Sequence, residues 1–191
     1  MATYFTADTH FGHANAIKHS TRPFEHVREM DETMIANWNG VIRPTDTVWH
    51  LGDFAYKCTE EHMQRVFRRL NGSKHLVLGN HDDAKVRRLG WASIHEQVSV
   101  TVDGVHLHLN HYAMRTWPRA HKGSLHLYGH SHNRLPGWSQ SLDVGVDAWA
   151  YFPVPLDDIR LTLSELPREI PAVGLDHLGP EEQDDDEAFT I

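Results

Sequence analysis

The sequence lacks several features that would have assigned it to a class at once. It contains a single cysteine, Cys58, so an intrachain disulfide is excluded and a reducing compartment is expected. No apolar run approaches the roughly 20 residues that span a bilayer. The first residues show no basic stretch followed by an apolar one, the pattern of a secretion signal. We therefore expect a cytoplasmic protein with no membrane partner.

Basic residues are outnumbered by acidic ones, and nearly all of the acidic excess lies at the C-terminal end of the chain. The formal net charge is −8, but residues 167–191 carry eight acidic residues and one basic residue, which leaves −1 for residues 1–166. No broad basic surface for duplex nucleic acid is indicated. Acidic residues with little apolar patterning favour disorder. We predict one domain in residues 1–166 and an acidic, disordered tail in residues 167–191.

Hydrophobic periodicity divides the domain into two halves. The first half alternates strands (3–7, 47–51, 74–78) with helices (31–41, 60–70, 83–89). The second half is rich in strands (93–102, 105–109, 125–128, 142–146), with a hairpin turn at Asp103-Gly104. Residues 156–166 fit either a closing helix or a strand–helix pair. This order predicts an α/β domain with two sheets.

Histidine is unusually abundant, with 17 of 191 residues, and much of it follows predicted strands. Five strand ends carry residues able to bind a metal ion: Asp8 and His10, Asp53, Asn80, His111, and His130 with His132. In open α/β sheets the ligand crevice lies beyond the carboxyl ends of the strands. We therefore expect these side chains to surround one point. Each of them alone would more often be a turn residue, a cap or an ordinary polar side chain.

These strand ends resemble, in order, the five motifs of the calcineurin-like metallophosphoesterase superfamily, and in particular its small bacterial and phage members. The motifs are Asp8-x-His10, Gly52-Asp53, Gly79-Asn80-His81-Asp82, His111 and Gly129-His130-Ser131-His132. The resemblance runs from about residue 3 to residue 166. It implies a two-sheet β-sandwich flanked by helices, in αββα layers, and a metal-dependent phosphoesterase activity.

The resemblance also implies two divalent metal ions. The first would take Asp8, His10, Asp53 and His132, and the second would take Asp53, Asn80, His111 and His130, so that Asp53 bridges them. Imidazole and carboxylate ligands without thiolate suit manganese, our first expectation, and also iron, zinc, nickel or cobalt. A hydroxide bridging the two ions would be the nucleophile.

The resemblance assigns further roles around this site. His81 would stabilise the phosphoryl charge or protonate the leaving oxygen, and Asp82 would orient the His81 ring. His13 could reach the substrate phosphate. Arg22, Arg115 and Trp117 could contact a nucleotide or another leaving group. By contrast, His106 and His108 lie on the alternating face opposite Leu107 and Leu109, and we expect both to face solvent.

The substrate predicted is a small phosphate ester, with a cyclic nucleotide as one example. A protein phosphatase is disfavoured because Asp53 is followed by Phe54-Ala55-Tyr56 in place of that branch's Asp-Arg-Gly element. A nuclease with the same ligands would normally need added DNA-binding regions. A scaffold that kept only the fold would have lost some motif positions, and here all are filled. The sequence predicts neither the native metal nor the oligomeric state.

Overall fold

The computed structural model describes residues 1–169, and the predicted tail lies almost wholly outside them. The described residues form nine strands: β1 (Thr3–Thr6), β2 (Thr47–His50), β3 (Ser73–Val77), β4 (Ser93–His95), β5 (Gln97–Val102), β6 (Val105–Asn110), β7 (Leu125–Tyr128), β8 (Ser141–Asp143) and β9 (Val154–Pro155). They also form five α-helices: α1 (Ala14–His19), α2 (Val27–Val41), α3 (Glu60–Arg69), α4 (Ala84–Arg87) and α5 (Leu156–Glu165). None of these helices is long and apolar enough to cross a membrane.

The strands form two sheets. The first has the order β4-β3-β2-β1-β9, with β1 to β4 parallel and β9 antiparallel at the edge. The second has the order β5-β6-β7-β8, in which β5 and β6 form an antiparallel hairpin and the remaining pairs are parallel. The predicted fold class, two sheets flanked by helices, is confirmed. In each sheet the parallel strands end at the same edge, and the loops that follow these carboxyl ends carry the sequence motifs.

Two apolar cores hold the layers together. The first lies between the first sheet and helices α2 and α3, where Met34, Trp38 and Phe67 pack on the sheet. The apolar residues of α3 recur at helical spacing, and Thr59 caps its first turn by accepting the His62 amide. The second core lies between the two sheets and is closed by Ile159 of α5.

The observed elements differ from the predicted ones where alternation alone is ambiguous. The predicted strand over 93–102 is split, because its first three residues join the first sheet and β5 joins the second. Helix α2 begins four residues before the predicted start, and α1 was not predicted. Of the two alternatives for residues 156–166, the structure shows the closing helix, α5, and the two-residue strand β9 lies just before that segment. A two-residue alternation identifies a strand but does not say which sheet receives it.

One prediction about surface histidines is wrong. His106 is exposed as expected, but His108 on the same face of β6 is only 3% exposed. The loop after β6 folds back over this face, and Trp117 packs on His126 of the neighbouring strand. His126 accepts the Met114 amide at Nε2 and donates from Nδ1 to the His108 carbonyl. The sheet's outer face is therefore a second, histidine-rich packing layer.

The buried ring of His126 predicts acid sensitivity. Burial lowers its pKa to about 4, against about 6.5 in an unfolded chain. The unfolded chain then binds the extra proton, so the His126 contribution is complete above pH 6.5 and is lost as the pH falls towards 4. The loss should reach about 3 kcal/mol. Unfolding free energy, measured in chelator from pH 7 to 4, should fall less steeply in His126→Gln than in the wild type.

The matched control is His106→Gln, at the exposed position of the same sheet face. It should leave the slope of unfolding free energy against pH unchanged. Equal slopes in the two variants would mean that His126 is not held neutral in the folded protein.

Candidate metal centre

The seven predicted metal ligands meet at the carboxyl ends of strands from both sheets. We call them the acid–histidine cluster: Asp8, His10, Asp53, Asn80, His111, His130 and His132. Within it, Asp8, His10 and His132 form one group of ligand atoms that lie within 4.8 Å of one another. Asp53, His111 and His130 form a second such group. The tertiary structure thus brings together segments more than 120 residues apart in the chain.

Asp53 lies between the two groups. Its Oδ2 atom is 3.6 Å from His10 Nε2 and 3.5 Å from His111 Nε2. Its Oδ1 atom accepts the His81 amide at 3.0 Å, which fixes the orientation of the carboxylate. One carboxylate oxygen therefore faces a histidine of each group, an arrangement that suits a bridging ligand.

The second group has more acceptors than donors. His111 Nδ1 lies 2.7 Å from the Leu51 carbonyl and must donate its proton there. Burial lowers the pKa of His111 to about 4, so the ring is neutral and its Nε2 presents a lone pair. That lone pair faces Asn80 Oδ1 at 3.0 Å and the Asp53 carboxylate. Acceptors that converge without a proton between them fit a cation.

The first group has the same character. His10 is buried, and neither of its ring nitrogens has a hydrogen-bond partner within residues 1–169. Burial, followed by the charges of Asp143 and Asp53, raises the pKa of the Asp8 carboxyl well above its usual value. Burying orphaned imidazole nitrogens beside carboxylates is costly unless a ligand satisfies them. A divalent cation would bind a ring nitrogen of His10 and would offset the negative charge around Asp8, so the residues present fit a metal ion.

The backbone at the cluster is strained in a consistent way. Five of the seven members have φ between 47° and 66°, a region that non-glycine residues seldom occupy: Asp8, His10, Asp53, His130 and His132. Glycine permits the close approach of neighbouring loops. A Cβ on Gly129 would lie 2.7 Å from Asp8 Oδ2. Such strain persists where packing over-determines it, and it concentrates at functional sites.

Asp82 supports the cluster through the backbone. Its buried carboxylate accepts three amides, those of Asp53 at 2.9 Å, Phe54 at 3.0 Å and Gly79 at 2.8 Å. These bonds join the loops after β2 and β3. The predicted role of Asp82 in orienting the His81 ring stays a prediction beside these contacts. We infer that the carboxylate positions Asp53 and Asn80.

Arg22 and Asp147 support the first group. Asp147 Oδ2 accepts from His132 Nδ1 at 2.6 Å, which leaves the other ring nitrogen of His132 free for a ligand. Arg22 is buried, and its donors reach both Asp147 oxygens, the carbonyls of Asp8 and Thr9, and the Met30 sulfur. All five donors of the guanidinium are engaged. A positioning role therefore replaces the predicted contact of Arg22 with substrate.

His81 stands beside the cluster and not within it. Its half-buried ring is 5.5 Å from the His10 ring, centroid to centroid. Tyr56 packs against it at 4.2 Å and meets the buried His13 ring edge-on at 5.0 Å. The imidazole of His81 is thus held next to the cluster by an aromatic neighbour. The His13 ring lies 5.6 Å from the His10 ring, centroid to centroid, and its contact with the substrate phosphate stays a prediction.

Two predicted substrate contacts differ in their surroundings. Trp117 is 5% exposed, and its indole donates to the Ser124 carbonyl while packing on His126 and Trp138. These contacts place Trp117 in the packing layer on the second sheet, and this packing role replaces its predicted contact with substrate. Arg115 is exposed on the same loop. Its contact with substrate stays a prediction.

Three residues near the cluster were missed at the sequence level. Tyr112 is 48% exposed, and its ring lies 4.6 Å from the His130 ring and 5.0 Å from the His111 ring. Tyr56 and Asp147 were likewise not singled out. Tyr112 and Tyr56 were detectable as aromatic residues within three positions of a motif. Asp147 carried no such signal, because its importance comes from a contact with His132 across a loop.

Comparison with known proteins agrees with this geometry. Residues 1–100 match the family model described as calcineurin-like phosphoesterase. An uncharacterised protein of Methanocaldococcus jannaschii is 34% identical over 164 residues, which cover 81% of this chain and 86% of the relative. The gene 66 protein of Mycobacterium phage D29 is 28% identical over 195 residues, covering 85% of this chain and 96% of the phage protein.

The fold is shared with a solved structure. A protein of unknown function from Aquifex aeolicus superimposes with a TM-score of 0.66 at 24% identity, covering 84% of this chain and 98% of the other. The similarity extends over both sheets and not only over the first 100 residues. This solved structure therefore shows the fold, and the names of the relatives assign no substrate.

Proposed function

The chain belongs to the calcineurin-like phosphoesterase family and is a metal-dependent hydrolase of phosphate esters, and from this premise we propose that it holds two divalent ions in the acid–histidine cluster. We further propose that it hydrolyses small phosphodiesters or phosphomonoesters, with cyclic nucleotides among the candidates. The observation that carries this proposal is the position of Asp53 Oδ2, close to a histidine of each ligand group.

The ligand assignment follows from the contacts around each group. Asp8, His10 and His132 would hold the first ion, and His111, His130 and Asn80 would hold the second, with Asp53 shared. The set contains imidazole, carboxylate and amide oxygen, which suits manganese first and also iron, zinc, nickel or cobalt. When bound, two such ions supply a water that ionises near neutral pH and a positive charge that stabilises the phosphoryl transition state.

The protein's own residues would organise the substrate around that centre. Two carboxylates against two divalent ions leave about +2 of charge, which attracts an anionic ester although the chain as a whole is acidic. Tyr112, exposed beside His130, offers a flat face to an aromatic or heteroaromatic group of the ester. His81 lies where it can donate a proton or a hydrogen bond to the ester, and Tyr56 holds its ring in place.

An assay on the purified protein tests this function. The protein is stripped with chelator, reconstituted with Mn²⁺, and offered bis-p-nitrophenyl phosphate, p-nitrophenyl phosphate, cyclic nucleotides and single-stranded DNA. We expect hydrolysis of at least one small ester that chelator abolishes and metal restores. Tyr112→Leu should raise KM for the aromatic esters several-fold, with a smaller change in kcat, because it removes a stacking surface.

Two results would contradict the proposal. Metal analysis that found two bound ions per chain, with no turnover of any ester, would indicate a binding protein in place of an enzyme. Turnover of DNA alone, with affinity falling steeply as salt rises, would indicate the nuclease alternative. The cytoplasmic location stays a prediction from the sequence.

A further inference from the structure

A cavity of about 700 Å³ lies between helices α2 and α3, next to the loop that follows β1. Its apolar wall is formed by Val27, Ile35 and Val66, and its lining also includes Gly12 and Cys58. This volume falls in the range of small-molecule sites, which are about 300–1,000 Å³. The members of the acid–histidine cluster do not line it. The cavity is therefore a separate feature that phosphoester hydrolysis does not explain.

The charged groups around the cavity carry a net positive charge, because three arginines are set against the carboxylates of Asp31 and Glu32. Three arginines line it: Arg28, Arg65 and Arg69. Only Arg69 is paired with a carboxylate within residues 1–169, through a bidentate contact with Glu32 at 2.6 Å. Arg28 and Arg65 have no direct carboxylate partner within residues 1–169, although both lie near the charge of Glu32. The three arginines and two carboxylates of the lining leave a net charge of +1 (3 − 2) beside the apolar wall. That combination fits an organic anion with an apolar body.

Arg65 also ends a chain of hydrogen bonds that leads to the cluster. It donates to His62 Nδ1 at 2.8 Å, and His62 Nε2 lies 2.8 Å from Asp31 Oδ2. The other oxygen of the buried Asp31 accepts the Gly12 amide at 3.0 Å. Gly12 is two residues from His10, in the loop that carries Asp8 and His10 of the first ligand group. The same guanidinium thus faces the cavity and braces that loop.

The tight packing of Gly12 makes this loop sensitive to its neighbours. Gly12 has φ of 78°, and a Cβ there would lie 2.5 Å from the Cys58 Cβ atom. Cys58 itself contacts the Phe11 carbonyl through its sulfur. The loop has little room to shift without disturbing both the cavity lining and His10.

We propose that the cavity between α2 and α3 is a binding site for a small organic anion, whose acidic group engages Arg28 and Arg65 and whose apolar part packs on Val27 and Val66. An anion bound by Arg65 draws this guanidinium away from His62 Nδ1, to which it donates one hydrogen bond. The hydrogen bond that the Gly12 amide donates to Asp31 then changes, and with it the position of His10. Binding in the cavity therefore alters the metal centre through Asp31 and the loop that follows β1.

The only cysteine of the chain reports on this site directly. Cys58 lines the cavity and is half-buried, so iodoacetamide should alkylate it slowly, and a bound ligand should slow it further. The probe is 8-anilinonaphthalene-1-sulfonate, which combines an aromatic body with one sulfonate. In the wild-type protein it should protect Cys58 in a saturable manner. In Arg28→Ala/Arg65→Ala, the concentration needed for half protection should rise at least about tenfold, because two charge-assisted contacts are lost.

The matched control is Arg119→Ala/Arg160→Ala, which removes the same charge from exposed positions outside the cavity and should behave as the wild type. The exposed single variant Arg28→Glu repeats the test without touching the hydrogen-bond chain. Equal protection in all variants would overturn the proposal, as would a complete absence of protection. This readout needs no phosphoesterase activity, so it stands apart from the proposed function. Where activity is measured, the probe should change the rate in the wild type and not in Arg28→Ala/Arg65→Ala.

Discussion

Asp8→Asn is expected to remove the first metal ion and to lower kcat/KM by about 10³-fold or more. Asp8 is the carboxylate of the first ligand group, and losing a metal's charge stabilisation costs several kcal/mol, with each 1.36 kcal/mol worth a factor of ten. Both Asp8 oxygens accept the His130 amide, and asparagine keeps one acceptor there. The loop geometry should therefore survive. Metal content by mass spectrometry and kinetics on bis-p-nitrophenyl phosphate measure the two effects.

The same substitution should have the opposite effect on the stability of the metal-free protein. Asp8 is buried, and the charges of Asp143 and Asp53 lie close enough to raise its pKa. Removing one charge from this group relieves repulsion and desolvation, so in chelator Asp8→Asn should be more stable by about 1–2 kcal/mol. The control is Asp103→Asn in the exposed hairpin turn. An Asp8→Asn protein with full metal content and full activity would exclude Asp8 as a ligand.

His81→Ala is expected to keep both metal ions and to lose about 10²- to 10⁴-fold in kcat. The ring stands beside the cluster, so its removal should leave the ligand groups intact. Its backbone amide still donates to Asp53 Oδ1 in the variant. Unchanged metal content with collapsed turnover therefore separates His81 from the ligands. His106→Ala, at an exposed position, is the control.

The size of the loss across substrates distinguishes two roles for His81. If it protonates the leaving oxygen, the loss should be small for p-nitrophenyl esters, whose leaving group needs little help. It should be large for esters with alkyl or nucleoside leaving groups. If His81 stabilises the phosphoryl oxygens, the loss should be similar for all of them. Full activity of His81→Ala on every substrate would remove the residue from the mechanism.

The elements that carry the motifs were predictable because their signals are local. Strands β1, β2 and β3 each combine a short apolar run with an adjoining polar residue, and Asp53 follows β2 after Leu51 and Gly52. The hairpin of β5 and β6 was marked by Asp103-Gly104, which both adopt positive φ. The division of residues 93–102 between two sheets was not predictable, because alternation contains no information about the pairing partner.

The surroundings of the cluster were predicted less well, and the errors share one cause. Arg22, Trp117 and His108 were each assigned to substrate or solvent, and each is buried. Their burial depends on contacts with other segments, and for Arg22 the partner, Asp147, lies 125 positions away. Periodicity predicts which way a side chain points relative to its own element. It does not predict what will cover it.

The sequence alone determined the types of metal-capable residue, their order and their location at strand ends. Each motif depends only on its own few residues, and parallel strands end at the same edge of a sheet. Only the tertiary structure decided which oxygen of Asp53 faces both histidine groups, which carboxylate holds His132, and that Asp82 serves the backbone. It also created the cavity between α2 and α3. These features arise from contacts between separate layers, whose geometry is set by packing and not by any single stretch of chain.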